Sequence, residues 1–203
     1  MAPHPTPARS PVRSPVDSST RSSALLTSAD LPWPELQAAA LDGDVFRIDR
    51  AFCSIAEFDV PWRRATALAD LCGREFVVAG RSAAWVWGAL AQAPGTHEGF
   101  GETRRGLHDV PTGLFVRAVD PPEDDLVDFG PVRVTAPART IVDLVRFDLD
   151  EGATAEIVAF LIAEHRVDRA TCDAILARGR TLPHRRRARS RLAQMWVRPS
   201  EPG

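Results

Sequence analysis

Pro137 constrains this chain more than any other single residue. It stands in "VRVTAPARTIVDLVR", Val132 to Arg146, where Val132 and Val134 alternate with Arg133 as a strand does and later apolar residues recur at helical spacing. Proline has no N–H to give a ladder, so an edge or half-buried strand must stop before it, while its fixed φ suits a first helical turn. The chain therefore passes from strand to helix here, with Thr135 placed to cap and Ala138, Ile141, Val142, Leu144 and Val145 on the buried side. Asp143 lies four residues after Arg139 and three before Arg146, so one carboxylate can bridge two guanidiniums on a helix surface. Alternatively, Arg139 reaches for a partner while Asp143 holds it in place.

The same punctuation organises the rest. "PWPELQAAALDG" reads as a helix from about Trp33 to Asp42, with Pro34 in its first turn and Gly43 at its end. "VFRI" and "FCSI" follow as β-prone runs joined by "DRA", short enough for a tight hairpin. A second helix is expected after Asp59, as its cap, with Pro61 in the first turn and Trp62, Ala65, Leu68, Ala69 and Cys72 inward. "FVVA" reads as a buried strand that bends through Gly80 into the helix "RSAAWVWGAL". Residues 94–111 carry four glycines and no periodicity, and read as a long loop or loose hairpin. "GLFVRAV" is a strand, "DPPEDDLVDFGP" an acidic connection, and two helices are expected over about 153–165 and 169–178.

Charge is unevenly placed. All 25 basic residues are Arg, and the eight from Arg178 to Arg198 give +8 without an intervening acid, leaving −10 for the rest of a chain that sums to −2. The tail presents several guanidiniums within a few helical turns, a phosphate-attracting surface or else a solvated terminal helix. Cys53, Cys72 and Cys172 are far apart and read as buried thiols of a reducing cytosol. No apolar run reaches the roughly 18 residues that cross a bilayer, so no membrane partner is expected. Residues 1–23, rich in Pro, Ser and Arg, read as a disordered arm.

Tests for chemistry mostly fail. His97 and His108 lie too far apart for a zinc helix, where two imidazoles four residues apart meet one ion. "GFGETRR" lacks the P-loop Lys and a helix directly behind it. Ser82 sits on a glycine bend, with no G-x-S-x-G elbow and no evident His partner. The reading is a protein that is not an enzyme, with no metal and no cofactor. For nucleic acid, Arg47 and Arg50 lie on the hairpin and Gln37 on the helix before it, although that helix also carries Glu35 and Asp42, which repel phosphates.

Taken in order, "DGDVFRIDRAFCSI", "FVVAGRSAAWVWGAL" and "RAVDPPEDDLVDFGPVRVTAPARTIVDLVRF" resemble the AbiEi-type antitoxins of type IV toxin–antitoxin systems, in their short actinobacterial form. The resemblance covers roughly residues 25–147. Its most specific part is the Thr-x-x-x-Arg-Thr-hydrophobic-x-Asp unit, here Thr135, Arg139, Thr140 and Asp143. Ala51 and Phe52 stand where that family usually has Gly and Tyr, and Gly80 where it usually has His. The resemblance implies a cytoplasmic DNA-binding repressor without catalysis, acting beside a nucleotidyltransferase-like toxin. The expectation is an α+β fold: an arm (1–23), a small degenerate winged-helix head (24–58), a central mixed α/β domain (59–150), and a helical region with a basic tail (151–203). DNA, as the chain's own promoter region, would be met by Gln37, Arg47, Arg50, Arg185, Arg186, Arg187 and Arg189. Ser82, Thr135, Arg139, Thr140 and Asp143 would serve as a structural latch. The alternative is a protein-interaction module that has lost DNA binding.

Overall fold

Pro32 and Pro34 start α1 (Trp33–Asp42), and Gly43, left-handed at φ 81°, stops it. A hairpin follows, β2 (Val45–Ile48) and β3 (Ala51–Ser54), and β3 also pairs with β1 (Leu25–Leu26), giving a three-stranded antiparallel sheet in the order β1-β3-β2. The computed structural model describes residues 25–101, 110–178 and 184–197. The expected arm, residues 1–23, lies outside the described residues.

α2 (Pro61–Ala67) and α3 (Ala69–Cys72) form where one helix was expected, because Leu68 leaves helical geometry with ψ near 3°. Asp59 is not the cap: Val60 holds that position, and the Asp59 carboxylate instead pairs with Arg64. β4 (Val77–Val78) then runs into α4 (Gly80–Val86) through Gly80, whose φ of 56° permits the bend.

The larger sheet has five strands in the order β6-β5-β4-β8-β7, with β5 (His97–Gly101), β6 (Leu114–Ala118), β7 (Leu126–Asp128) and β8 (Arg133–Thr135). β5 and β6 run parallel, so the glycine-rich stretch is neither plain loop nor hairpin; it supplies β5, and residues 102–109 lie outside the described set. The acidic connection contains a short 3-10 turn (Glu123–Asp125) and β7. β8 is not an edge strand: it lies between β4, parallel, and β7, antiparallel, with Val134 fully buried. Pro137 does end it and opens α5 (Pro137–Phe147).

Four helices follow among the described residues: α5, then α6 (Glu151–His165), α7 (Arg169–Arg178) and α8 (Arg185–Val197). Ile141, Val142, Leu144 and Val145 of α5 meet Leu161, Cys172, Leu176, Ala188 and Leu192 in one apolar core. A second core unites Ile48 and Cys53 of the head with Leu68, Val78, Trp85 and Val134, so the hairpin is packed onto the central sheet. The chain is an α+β protein, and the basic tail from Arg185 to Val197 is a packed helix.

Candidate functional site

Arg139, Asp143 and Arg146 follow one another up α5 and would be expected on its solvated side. They are instead buried, at 5%, 2% and 2% exposure. Arg139 Nε donates to Asp143 Oδ2 at 2.7 Å and its Nη1 to Asp125 Oδ2 at 3.1 Å; Arg146 Nη1 donates to Asp143 Oδ1 at 3.0 Å. Arg178, the last residue of α7, reaches the other oxygen of Asp125. The network thus ties α5 to the 3-10 turn and to α7, replacing the exposed helix-surface bridge expected from the spacing.

Burial pushes the Asp143 carboxyl above its ordinary value, and Arg139 and then Arg146 pull it back. Burial likewise lowers Arg146. For Arg139, burial opposes the charge, but Asp143 and Asp125 outweigh it and hold the guanidinium above its usual range. Both Asp143 oxygens accept from guanidiniums, so its lone pairs are engaged and it is a scaffold joint rather than a poised base.

Thr135 does not cap α5: Ala136 occupies that position, and no side-chain cap bond forms there. Its hydroxyl lies 2.7 Å from Thr140 Oγ1, which is itself 3.0 Å from the carbonyls of Thr135 and Ala136. Thr140 therefore fastens the helix back onto the strand end, and Thr135 donates to it. Trp87 Nε1 donates to the Thr135 carbonyl at 2.8 Å and closes the same corner.

Ser82 has a histidine partner that its sequence surroundings did not disclose. Its Oγ accepts from Glu98 N at 2.9 Å and lies 3.0 Å from His97 Nδ1. His97 Nε2 in turn lies 3.3 Å from Asp49 Oδ2 in the hairpin turn, an electrostatic approach without hydrogen-bond alignment. Ser82 Oγ has a second lone pair besides the one facing Glu98 N, so it either donates to or accepts from His97 Nδ1 according to the imidazole tautomer. The chain Ser82, His97, Asp49 has the residue types of a hydrolase triad, yet Ser82 is 0% and His97 2% exposed. It reads physically as a polar rivet joining α4, β5 and the hairpin.

A cleft of about 220 Å³ opens beside Gly80, with Glu98, Arg117, Asp143, Phe147 and Asp148 among its walls. Its acids are already matched: Glu98 with Arg117 at 2.7 Å, Asp148 with Arg81 at 3.3 Å, and Asp143 as above. Among the described residues no group of three His, Cys, Asp or Glu side chains is placed to hold a metal. The cysteines are buried thiols; burial, aided by nearby carboxylates, pushes Cys72 and Cys172 up to about 12.

The expected cationic residues fall into distinct settings. Gln37 is exposed on α1. Arg47 is exposed, stacked 5.4 Å from the Trp33 ring, with Nε donating to the Asp49 carbonyl at 2.6 Å. Arg50 is exposed and lies against Gly113, where an added Cβ would meet its Nη2 at 2.7 Å, so the hairpin turn rests against the start of β6. On α8, Arg186 and Arg189 are exposed and pair with no carboxylate among the described residues, Arg187 lies 3.3 Å from Glu151, and Arg185 is half-buried. Arg191, left out of the expected contacts, is buried: it donates to the carbonyls of Val145 and Asp148 at 3.1 and 2.9 Å and to Glu151 at 2.6 Å. Its spacing from Ala188 and Leu192, which share the inward face, was the available signal.

Fold and site together define an α+β protein whose strongest polar groups are locked into its interior and whose cations gather on an outer helix. The chain belongs to the AbiEi antitoxin C-terminal domain family, which matches residues 76–194. The crystal structure of the RV2827C protein from Mycobacterium tuberculosis is similar at 17% identity over 87% of this chain and 72% of that one, with a TM-score of 0.44. No curated protein matches. No helix among the described residues is long and apolar enough to cross a membrane.

Proposed function

We propose that the protein is a cytoplasmic toxin–antitoxin regulator that binds DNA, in its own promoter region, without catalysis, and that its partner is a nucleotidyltransferase-like toxin. The observation that carries the DNA reading is the division of labour on α8: Arg191 anchors the helix, which leaves Arg186 and Arg189 outside with no acid among the described residues to neutralise them. Phosphates are the natural complement of such a face, and each contact releases counterions. Arg185, Arg187, Arg47 and Arg50 add cationic surface, and Gln37 on α1 is the head's one amide on the helix that precedes the hairpin. The head (24–58) acts as a reduced winged helix, the central domain (59–150) as the scaffold latched by Ser82, Thr135, Arg139, Thr140 and Asp143, and 151–203 as the helical and basic region.

Deleting the tail is the wrong test, because Ala188, Arg191 and Leu192 belong to the core. A mobility-shift titration with the upstream DNA, comparing wild type with Arg186→Gln/Arg189→Gln, tests the reading. Loss of affinity in a folded variant supports it, and unchanged affinity counts against it.

A second reading is favoured by the acids of the head. Glu35 and Asp42 are exposed on α1 without a cationic partner among the described residues, which suits a protein-interaction module that no longer reads DNA. Arg47→Ala/Arg50→Ala, together with the α8 variant, separates the two: this reading survives only where none of them alters binding to DNA.

A further inference from the structure

Among the described residues the molecule carries two uncompensated charged surfaces of opposite sign. In the head, Glu57 and Asp59 are neutralised by Arg63 and Arg64, whereas Glu35, Asp42 and Asp44 are exposed and pair with no cation among the described residues. Asp42 ends α1, and Asp44 follows Gly43 into the open end of the hairpin, where its carbonyl accepts from Ile55 N at 3.1 Å. Leu41, 89% exposed, and Ile55, 68% exposed, sit beside these acids, so the open end is an apolar patch rimmed by carboxylates. The opposite end of the hairpin, by contrast, is docked on His97 and Gly113.

The matching cations are on α8. Arg186 and Arg189 are one helical turn apart and therefore share a face. α8 packs against α5, α6 and α7, while α1 packs against the hairpin. The two surfaces do not neutralise one another within one molecule, and complementary patches on a single chain are the requirement for a heterologous contact between copies. Nucleic acid is a poor occupant of the head patch, since its phosphates would face Asp42 and Asp44.

We propose that this open end of the head docks onto a second copy of the chain, with Asp42 and Asp44 meeting the Arg186 and Arg189 face of the other copy's α8 and Leu41 and Ile55 covered at the contact. The pairing is steered by exposed charges, so it is strongest at low ionic strength and weakens as the screening length falls to about 3 Å near 1 M salt. It does not depend on the DNA reading, because it requires no nucleic acid.

Sedimentation of the full chain alone, at low and high salt, tests it with three proteins: wild type, Asp42→Arg/Asp44→Arg and Arg186→Glu/Arg189→Glu. The expected result is a concentration-dependent mass increase for wild type at low salt that high salt abolishes, both variants monomeric, and association recovered when the two variants are mixed. Asp42→Asn/Asp44→Asn gives the same loss without introducing a new charge, and far-UV circular dichroism shows that each variant is folded. A wild-type chain that stays monomeric at low salt, an association that high salt leaves intact, or a mixture that stays monomeric overturns the proposal.

Discussion

Arg139 and Asp143 face each other one turn apart on α5 at 2.7 Å, and both are withdrawn from water. A buried pair of this kind contributes little by existing, but losing one partner leaves the other charged and unsolvated. Asp143→Asn strands parts of two guanidiniums, so it should destabilise the fold by about 3–5 kcal/mol. Arg139→Met should cost a similar amount, and the double variant less than the sum. Urea unfolding of the four proteins reads the coupling. Additive losses would mean that the two residues act separately.

Gly80 combines a left-handed φ of 56° with a wall: an added Cβ would run into the Glu98 carboxylate. Gly80→Ala should therefore lower stability by about 1–3 kcal/mol, with part of the loss recovered in Gly80→Ala/Glu98→Ala. No recovery in thermal unfolding would show that backbone conformation alone sets the penalty.

Ser82→Ala removes the hydroxyl that serves both Glu98 N and His97 Nδ1. A buried imidazole nitrogen and a half-buried backbone N–H lose their partner, so a loss of about 1–3 kcal/mol is expected. Asp49→Asn should cost less, since that approach is long. A larger effect at Asp49 than at Ser82 would reverse the order of importance along the rivet.

Asp168 fastens the start of α7, accepting from Thr171 N at 2.7 Å and from its hydroxyl at 3.0 Å. The Thr171 backbone N–H, then its hydroxyl, hold the Asp168 carboxyl below its ordinary 3.8. A depressed carboxyl contributes stability that is complete above the ordinary value and is lost as pH falls through the lowered one. Amide protection at the start of α7, taken relative to the intrinsic exchange rate at each pH, should fall over that acidic window in wild type, whereas Asp168→Ala should be poorly protected already at neutral pH. Equal exchange in the two proteins would remove the cap from the account.

Much of the fold was legible because local chemistry decided it. Pro34, Gly43, Gly80 and Pro137 mark boundaries the structure keeps, and the alternation around Val134 announced β8. What escaped were consequences of distance. β7 is three residues long in an acidic stretch, and β5 is rich in glycine, so each becomes a strand only because its neighbour in the sheet completes the ladder. The depth of Arg139 and Asp143 could not be read from an i, i+4 spacing, which is the same for an exposed pair. Ser82 and His97 lie 15 residues apart, and Asp49 joins them only once the hairpin has packed on the sheet.

The central claim is that the Arg139 motif holds the fold while exposed arginines on α8 meet DNA. Fluorescence anisotropy with the upstream duplex, titrated across salt, tests both halves in one measurement. Wild type should bind with a steep salt slope, Arg186→Gln/Arg189→Gln should bind more weakly with the slope reduced by about 0.9 for each lost phosphate contact, and Arg139→Met, while folded, should keep the wild-type slope. Absence of binding at low salt, or a slope that falls with Arg139 and not with the α8 arginines, would contradict the account.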